Sequence, residues 1–393
     1  MHVPDGFIDA PVSAAAGAVA AGAVALCLRG ARRELAGAPG TAVTGADRTA
    51  PLAGLVAAFV FAAQMLNFPV AAGTSGHLLG GALAAILVGP ATGVLCVTVV
   101  LLTQGVLFAD GGLTALGVNI LIMGVVTVAV AYALFAALVA VLPRGRRSVG
   151  AAAFAAALVS VPASAAAFTL LYAIGGTTDV PIGTVLTAMV GVHVLIGVGE
   201  AVITMLTVGA VLAVRPDLVH GARSLARPLK LRVGGRLIDA EPVTRAPARS
   251  PRRVWLAGLA TALVLAGAVS FYASASPDGL EKVAADHGMD EKAGEHAAAD
   301  SPLADYGVEG VSAAWISGGL AGVIGVGATA AVGSGLFYAA VRRRRTGTPA
   351  TGRTGRTGEA AGDASNGSGD SPAGEASSGP PGDSPAGGPA ERS

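Results

Sequence analysis

Charge is what this sequence most lacks. Only 13% of its 393 residues are Asp, Glu, Lys or Arg, against roughly 25% in an ordinary soluble domain. That shortage argues against a water-soluble globular class. Cysteine is almost missing as well. Cys27 and Cys96 are the two present, and both lie in apolar runs. They read as small core hydrophobes, which excludes a disulfide scaffold and a cysteine metal cluster. No Gly-x-x-x-x-Gly-Lys-Ser/Thr phosphate loop occurs, so this chain is not expected to hydrolyse ATP itself. His-Glu-x-x-His and Gly-x-Ser-x-Gly are also missing, and with them the usual marks of a zinc protease or a serine hydrolase. The expectation is a protein that is not an enzyme and carries no prosthetic group. No basic segment precedes the first apolar run, as it would in a signal peptide. Met1 is therefore expected to be the mature start, because the bulky His2 hinders removal of the initiator methionine.

What is abundant is apolar surface. Hydrophobic residues make up 53% of the chain and the mean hydropathy is +0.65. An apolar run of about 20 residues crosses a bilayer as a helix. Seven passes fit the first half, at 11–28, 51–68, 77–89, 91–107, 113–142, 150–174 and 183–214. Two more fit 254–273 and 311–341. The fold class expected is an all-α polytopic membrane protein: a seven-helix module, a two-helix module and a disordered tail.

Basic residues orient these passes, because loops rich in Lys and Arg stay in the cytoplasm. Arg29, Arg32, Arg33 and Arg48 mark one cytoplasmic loop, Arg144, Arg146 and Arg147 a second, and Arg215 to Arg236 a third. Between the first and second loops the chain must cross an even number of times. The run 77–107 therefore counts as two passes broken at Gly89-Pro90, since proline ends or kinks a helix, although both halves are short. This parity puts Met1 and the Phe68–Gly76 loop outside and the C-terminus in the cytoplasm of a plasma-membrane protein. Four segments result: a membrane module 1–215, a basic cytoplasmic linker 216–253, a two-helix module 254–341 with an acidic outer loop, and a Gly/Ser/Pro-rich tail 342–393 too polar to fold. The linker and Arg342–Arg345 read as anchors beside anionic lipid, not as nucleic-acid sites.

The N-terminus carries the chemistry. A terminal amine, the next amide nitrogen and the imidazole of residue two can close a five-membered and a six-membered chelate ring around one ion. The amide binds only after losing its proton, which copper, nickel and, less readily, cobalt can drive; oxygen-preferring ions cannot. His77, between glycine-rich stretches where backbone can approach closely, would complete a four-nitrogen square. The bland alternative is that any protein can begin Met-His.

Met1-His2-Val3-Pro4-Asp5-Gly6-Phe7, followed by Asn67-Phe68-Pro69-Val70 and Gly73-Thr74-Ser75-Gly76-His77-Leu78-Leu79-Gly80, resembles the CbiM/NikM family over roughly residues 1–215. Ser276-Pro277-Asp278-Gly279-Leu280-Glu281 resembles the signature of the PDGLE domain, similar in role to the CbiN/NikN accessory subunit. Members of the family are substrate-capture subunits of cobalt and nickel energy-coupling factor transporters. The resemblance implies an N-terminus inserted back into seven helices, and metal held by Met1, His2 and His77. It implies Co²⁺ or Ni²⁺ as the transported substrate. It also implies partners: a coupling membrane subunit (CbiQ/NikQ-like) and ATPase subunits (CbiO/NikO-like). The planar nitrogen field and the PDGLE module lean toward nickel without deciding it.

Further residues admit two readings each. Asp5 could steady a ligand or simply form the Pro4-Asp5-Gly6 turn. Asn67, Thr74 and Ser75 could do the former or bond within their loop. His193 and Glu200 are seven apart and share a helix face. An ionisable group inside a membrane is by default functional, but both could be buried packing groups. They define the rival function, a stand-alone proton-coupled metal transporter. His287 and His296 could gather ions weakly, although a solvated acidic loop is the plainer account. The small residues Ser13 to Gly22 allow close helix approach to a partner or within the fold.

Overall fold

The structure is a computed structural model that describes residues 1–35, 45–71, 73–222, 230–233, 236–239 and 252–342. It is predominantly helical. Helix α1 (Ala10–Leu35) and α2 (Gly45–Gln64) lead to a hairpin of β1 (Phe68–Ala71) and β2 (Thr74–Gly76). Then come α3 (Gly81–Val88), α4 (Pro90–Leu107), α5 (Leu116–Val141), α6 (Arg146–Gly175) and α7 (Ile182–Val214). A second antiparallel pair, β3 (Lys230–Val233) and β4 (Arg236–Asp239), lies in the linker. The second module holds α8 (Arg252–Gly267), the short α9 (Gly279–His287) and α10 (Ala314–Arg342). Arg343–Arg345, the tail and the rest of the linker lie outside the described residues. Among the described residues, six helices are long and apolar enough to cross a membrane: α1, α4, α5, α6, α7 and α10.

The segment 77–89 is not a continuous helix. Its helical part has 8 residues, about 12 Å of rise, and His77–Gly80 run ahead of it without helical structure. Its far end lies beside the end of α1. The Glu34 carboxylate, near the C-terminal end of α1, accepts hydrogen bonds from the Ala91 and Thr92 amides (3.0 and 2.7 Å) at the start of α4. Acidic groups favour helix N-termini, where amides lack partners. Gly89-Pro90 therefore turns the chain at the end opposite Met1. The same end holds the last turn of α1 with Arg32 and Arg33, the α5–α6 loop with Arg144, and Arg215 after α7.

Non-helical backbone inside a membrane must be satisfied by protein. Here two buried polar side chains do this. Glu200 on α7 accepts from the Leu79 amide (2.6 Å) and the Gly80 amide (3.1 Å). Gln64 at the end of α2 donates to the Leu79 carbonyl (2.9 Å). Helix α5 contains a π-helical stretch, Ile120–Val126, of the kind that often marks a functional site; the Ser164 hydroxyl donates to its Ile122 carbonyl (2.8 Å).

Candidate metal centre

Residues 1–9 do not lie on the surface. They thread back into the helix bundle, with Met1, Val3, Phe7 and Ile8 buried in one apolar cluster with Leu79, Val161 and Phe168. Polar bonds set the register. The Asn119 side chain accepts from the Val3 amide (2.8 Å) and donates to the Val3 carbonyl (3.0 Å). The Gly112 amide donates to that same carbonyl (2.9 Å). Asp5 accepts from the Leu113 and Thr114 amides (3.2 and 2.7 Å), so its carboxylate clamps the loop ahead of α5. On the other side the Gly294 amide of the second module donates to the Asp5 carbonyl (2.8 Å).

This threading brings the terminal amine to His77. The Met1 nitrogen is 2.6 Å from His77 Nε2, while His77 Nδ1 lies 3.0 Å from the Leu78 carbonyl. The His2 and His77 rings stack with centroids 5.1 Å apart and planes 19° from parallel. His2 Nδ1 faces Asp110 Oδ1 at 3.1 Å and His2 Nε2 faces Gln104 Oε1 at 3.2 Å. Burial, only partly offset by Asp110, lowers the His2 pKa to about 4, so the imidazole is neutral and has a lone pair to give. Bonds of about 2.0 Å meeting at right angles put neighbouring donors roughly 2.8 Å apart. The amine and His77 are already near that spacing. A neutral imidazole has one N–H, and the Asp110 carboxylate draws it to Nδ1; binding an ion through Nδ1 requires that proton to move to Nε2, where Gln104 Oε1 can accept its hydrogen bond.

A carboxylate completes the cluster. Asp278 Oδ2 lies 2.6 Å from the Met1 nitrogen and 3.6 Å from His77 Nε2. Ligand atoms of His2, His77 and Asp278 all lie within 4.8 Å of one another. Burial opposes ionisation of Asp278, but the facing terminal ammonium and His77 outweigh it and hold the carboxyl well below its ordinary range. These groups open into a cavity of about 580 Å³ that also exposes Asp5, Asp110 and Asp305. No lysine or arginine lines it among the described residues, so the space favours cations.

The other sequence candidates are distributed around this centre. Ser75 Oγ donates to the Ser276 carbonyl (2.7 Å), and its amide donates to the Pro277 carbonyl (2.8 Å). Thr74 is buried in β2, and the Asn67 carbonyl accepts from the Ser274 amide (2.8 Å). His193 is fully buried on α7. Its Nδ1 donates to the Met189 carbonyl (2.7 Å), its Nε2 has no hydrogen-bond partner among the described residues, and its ring edges the backbone of Gly279. Glu200 is spent on the Leu79 and Gly80 amides. His296 lies 3.1 Å from the Gly111 carbonyl with Nε2, and its Nδ1 accepts from the Ala298 amide (2.9 Å). Asp278, Asp110 and Gln104 are the members that sequence reasoning missed. The signal for Asp278 was the capping box Asp278-x-x-Glu281 inside the PDGLE hexapeptide; for Gln104 and Asp110 only the rarity of polar groups next to an apolar pass pointed the way.

Together the fold and the cluster define a multi-pass membrane protein in which the N-terminal segment meets His77 and Asp278 in a buried polar cluster. Residues 2–218 match the CbiM model, described as a cobalt uptake substrate-specific transmembrane region, and residues 252–342 match the PDGLE domain. The chain belongs to the CbiM family, with a PDGLE domain behind it. It is 41% identical over 219 residues to a putative metal transport protein of Haloquadratum walsbyi, covering 56% of this chain and 93% of that one. A putative fused nickel transport protein of Archaeoglobus fulgidus is 34% identical, covering 62% of this chain and 76% of its own. A cobalt transport protein of Geobacter sulfurreducens is 32% identical, covering 62% and 68%.

Proposed function

We infer that this chain captures Ni²⁺ or Co²⁺ through the Met1 amine, the His2 amide and imidazole and His77. It would do so as the substrate-binding subunit of an energy-coupling factor importer whose ATPase and coupling subunits are separate chains. The observation that carries the reading is the 2.6 Å approach of the terminal amine to His77 Nε2 across 76 residues of sequence. The relatives named for nickel and for cobalt transport support the substrate class. The arginines at the end opposite the site support an outward-facing centre under the positive-inside rule. The exposed small residues of α1, among them Ala14, Ala15, Ala18 and Gly22, offer a face on which a coupling subunit could pack closely in lipid.

In this reading the ion enters the acidic cavity and the amine and amide each give up a proton. His2 Nδ1 then turns from Asp110 to the ion. The test is metal content and absorption of the purified chain, loaded separately with nickel and cobalt. Wild type is expected to bind one ion in a planar field, and both His77→Ala and a variant with one residue inserted before Met1 are expected to lose it. Full binding by the extended variant would remove the terminal amine from the ligand set. The rival, a stand-alone proton-coupled transporter, needs Glu200 free to carry protons. The two amide bonds held by that carboxylate weigh against it.

A further inference from the structure

Asp278 belongs to the second module, yet its carboxylate sits inside the first module's site. Its two oxygens have separate work. Oδ1 accepts from the Leu280 and Glu281 amides (2.7 and 2.9 Å), capping α9, and Glu281 accepts in return from the Asp278 amide (2.8 Å). This reciprocal cap fixes the side chain so that Oδ2 points at the Met1 nitrogen. The backbone is fixed too. Ser75, two residues from His77, bonds to the carbonyls of Ser276 and Pro277. Gly279 lies so close to α7 that a Cβ there would come within 2.8 Å of Val192 and Ile196.

We propose that Asp278, supplied by the PDGLE module, is the counter-ion of the metal clasp and keeps its place whether the clasp holds a proton or a metal ion. The proposal rests on Met1, His2 and His77 being the ligands. Before an ion arrives, a terminal ammonium of charge +1 faces a carboxylate of charge −1. When a divalent ion binds, one proton leaves the ammonium and one leaves the His2 amide, both to water through the cavity. The ion, the ionised amide and the neutral amine then sum to +1, and the same carboxylate balances them. A buried charge is costly when unpaired, and this arrangement leaves none unpaired in either condition. Without Asp278 the loaded site would lose the carboxylate that faces both the amine and His77, leaving Asp110 beside His2 as its nearest negative charge. The second module is then a structural part of the binding site, and not only an accessory beside it.

The test is equilibrium titration of the full chain, purified in detergent, with chelator-buffered nickel. Asp278→Asn and Asp278→Ser both retain a side chain able to cap α9, so the fold is preserved while the charge is lost. About tenfold or greater weakening is expected for each, the usual effect of removing a group that supports metal ligands. Added formate is expected to restore much of the affinity of Asp278→Ser by returning a carboxylate to the gap. Wild-type affinity in Asp278→Asn would overturn the proposal. So would weak binding in Asp278→Ser that formate leaves unchanged, because Asp278 would then act only as a tether. Retained binding in His77→Ala would instead overturn the ligand assignment itself, which separates the two failures.

Discussion

His2 is held as a neutral imidazole, and this sets a pH dependence. Its pKa falls from 6.5 to about 4 on folding because burial outweighs the pull of Asp110. Between those values the unfolded chain binds a proton that the folded chain refuses. The contribution is therefore fully present above pH 6.5 and is lost as pH falls toward 4, to a total of about 3 kcal/mol. Asp278 adds to acid lability at lower pH. Its folded pKa is depressed below the ordinary 3.8, so its stabilisation is present above that value and lost beneath it. Unfolding of the detergent-solubilised chain with chelator present is expected to ease steadily from pH 7 to pH 4, and His2→Gln is expected to flatten that slope. An equal slope in both would show that His2 does not carry it. Glu200 makes a different prediction. Glu200→Gln keeps one acceptor where the carboxylate supplies two, so one of the Leu79 and Gly80 amides loses its partner inside the membrane. The expected loss is about 1–3 kcal/mol, read as a lower unfolding temperature, with nickel affinity changed little. A proton relay would show the reverse pattern, with transport abolished and stability unchanged.

At the scale of elements, the N-terminal segment is the one whose seat leaves least room. Gly6 has φ of +87°, and a Cβ there would fall 2.2 Å from the Lys292 carbonyl oxygen. Backbone cannot yield as a side-chain tip does, and a left-handed conformation alone costs a non-glycine residue about 1–2 kcal/mol. Gly6→Ala is expected to lift residues 1–5 off the second module's loop and weaken nickel binding at least about tenfold, while helix content by circular dichroism stays unchanged. Normal binding would mean that the clasp forms without that contact. Much of this architecture is legible in the sequence, because long helices announce themselves by apolar length. The passes expected at 113–142, 150–174, 183–214 and 311–341 lie within a few residues of α5, α6, α7 and α10. The amine, amide and imidazole of Met1-His2 could also be grouped, since chelate-ring size follows from covalent structure; His77 joined them only through its glycine-rich setting and the family resemblance. What could not be read is whatever depends on contacts between distant segments. The stretch His77–Gly80 is apolar like a helix yet non-helical, and its backbone is bonded instead by Glu200 and Gln64, 121 and 15 residues from Leu79. The loop around Asp278 looked like a solvated acidic linker, because composition does not reveal that one of its carboxylates faces an ammonium 277 residues earlier.

Across the whole molecule, the two modules pack through backbone-close contacts as well as through the site. A Cβ on Gly54 of α2 would fall 2.1 Å from Ser334 Oγ on α10, one on Gly258 of α8 would come within 2.9 Å of Leu55, and one on Gly325 of α10 would come 2.1 Å from Phe61. Small residues that let helices approach this closely are what hold helices together in lipid, where apolar surface gives no net drive for association. Near the site, Asp305 donates its amide to the Phe108 carbonyl (3.0 Å), Tyr306 donates to Asp110 (2.5 Å), and the Phe108 and Tyr306 rings stack at 4.8 Å. The covalent linker should therefore be dispensable once the chain has folded. A specific protease site inserted between residues 240 and 251 and cut after purification is expected to leave two fragments that co-purify through a tag on either one, with nickel affinity within about twofold of the uncut chain. Separation of the fragments on cutting would mean that the linker supplies the association. Co-purification with lost nickel binding would mean that the helix contacts suffice for assembly but that Asp278 no longer reaches the terminal amine. The helix interface and the site contact are thus separable by one cut, because the first depends on glycine packing along α2 and the second on a single carboxylate above it.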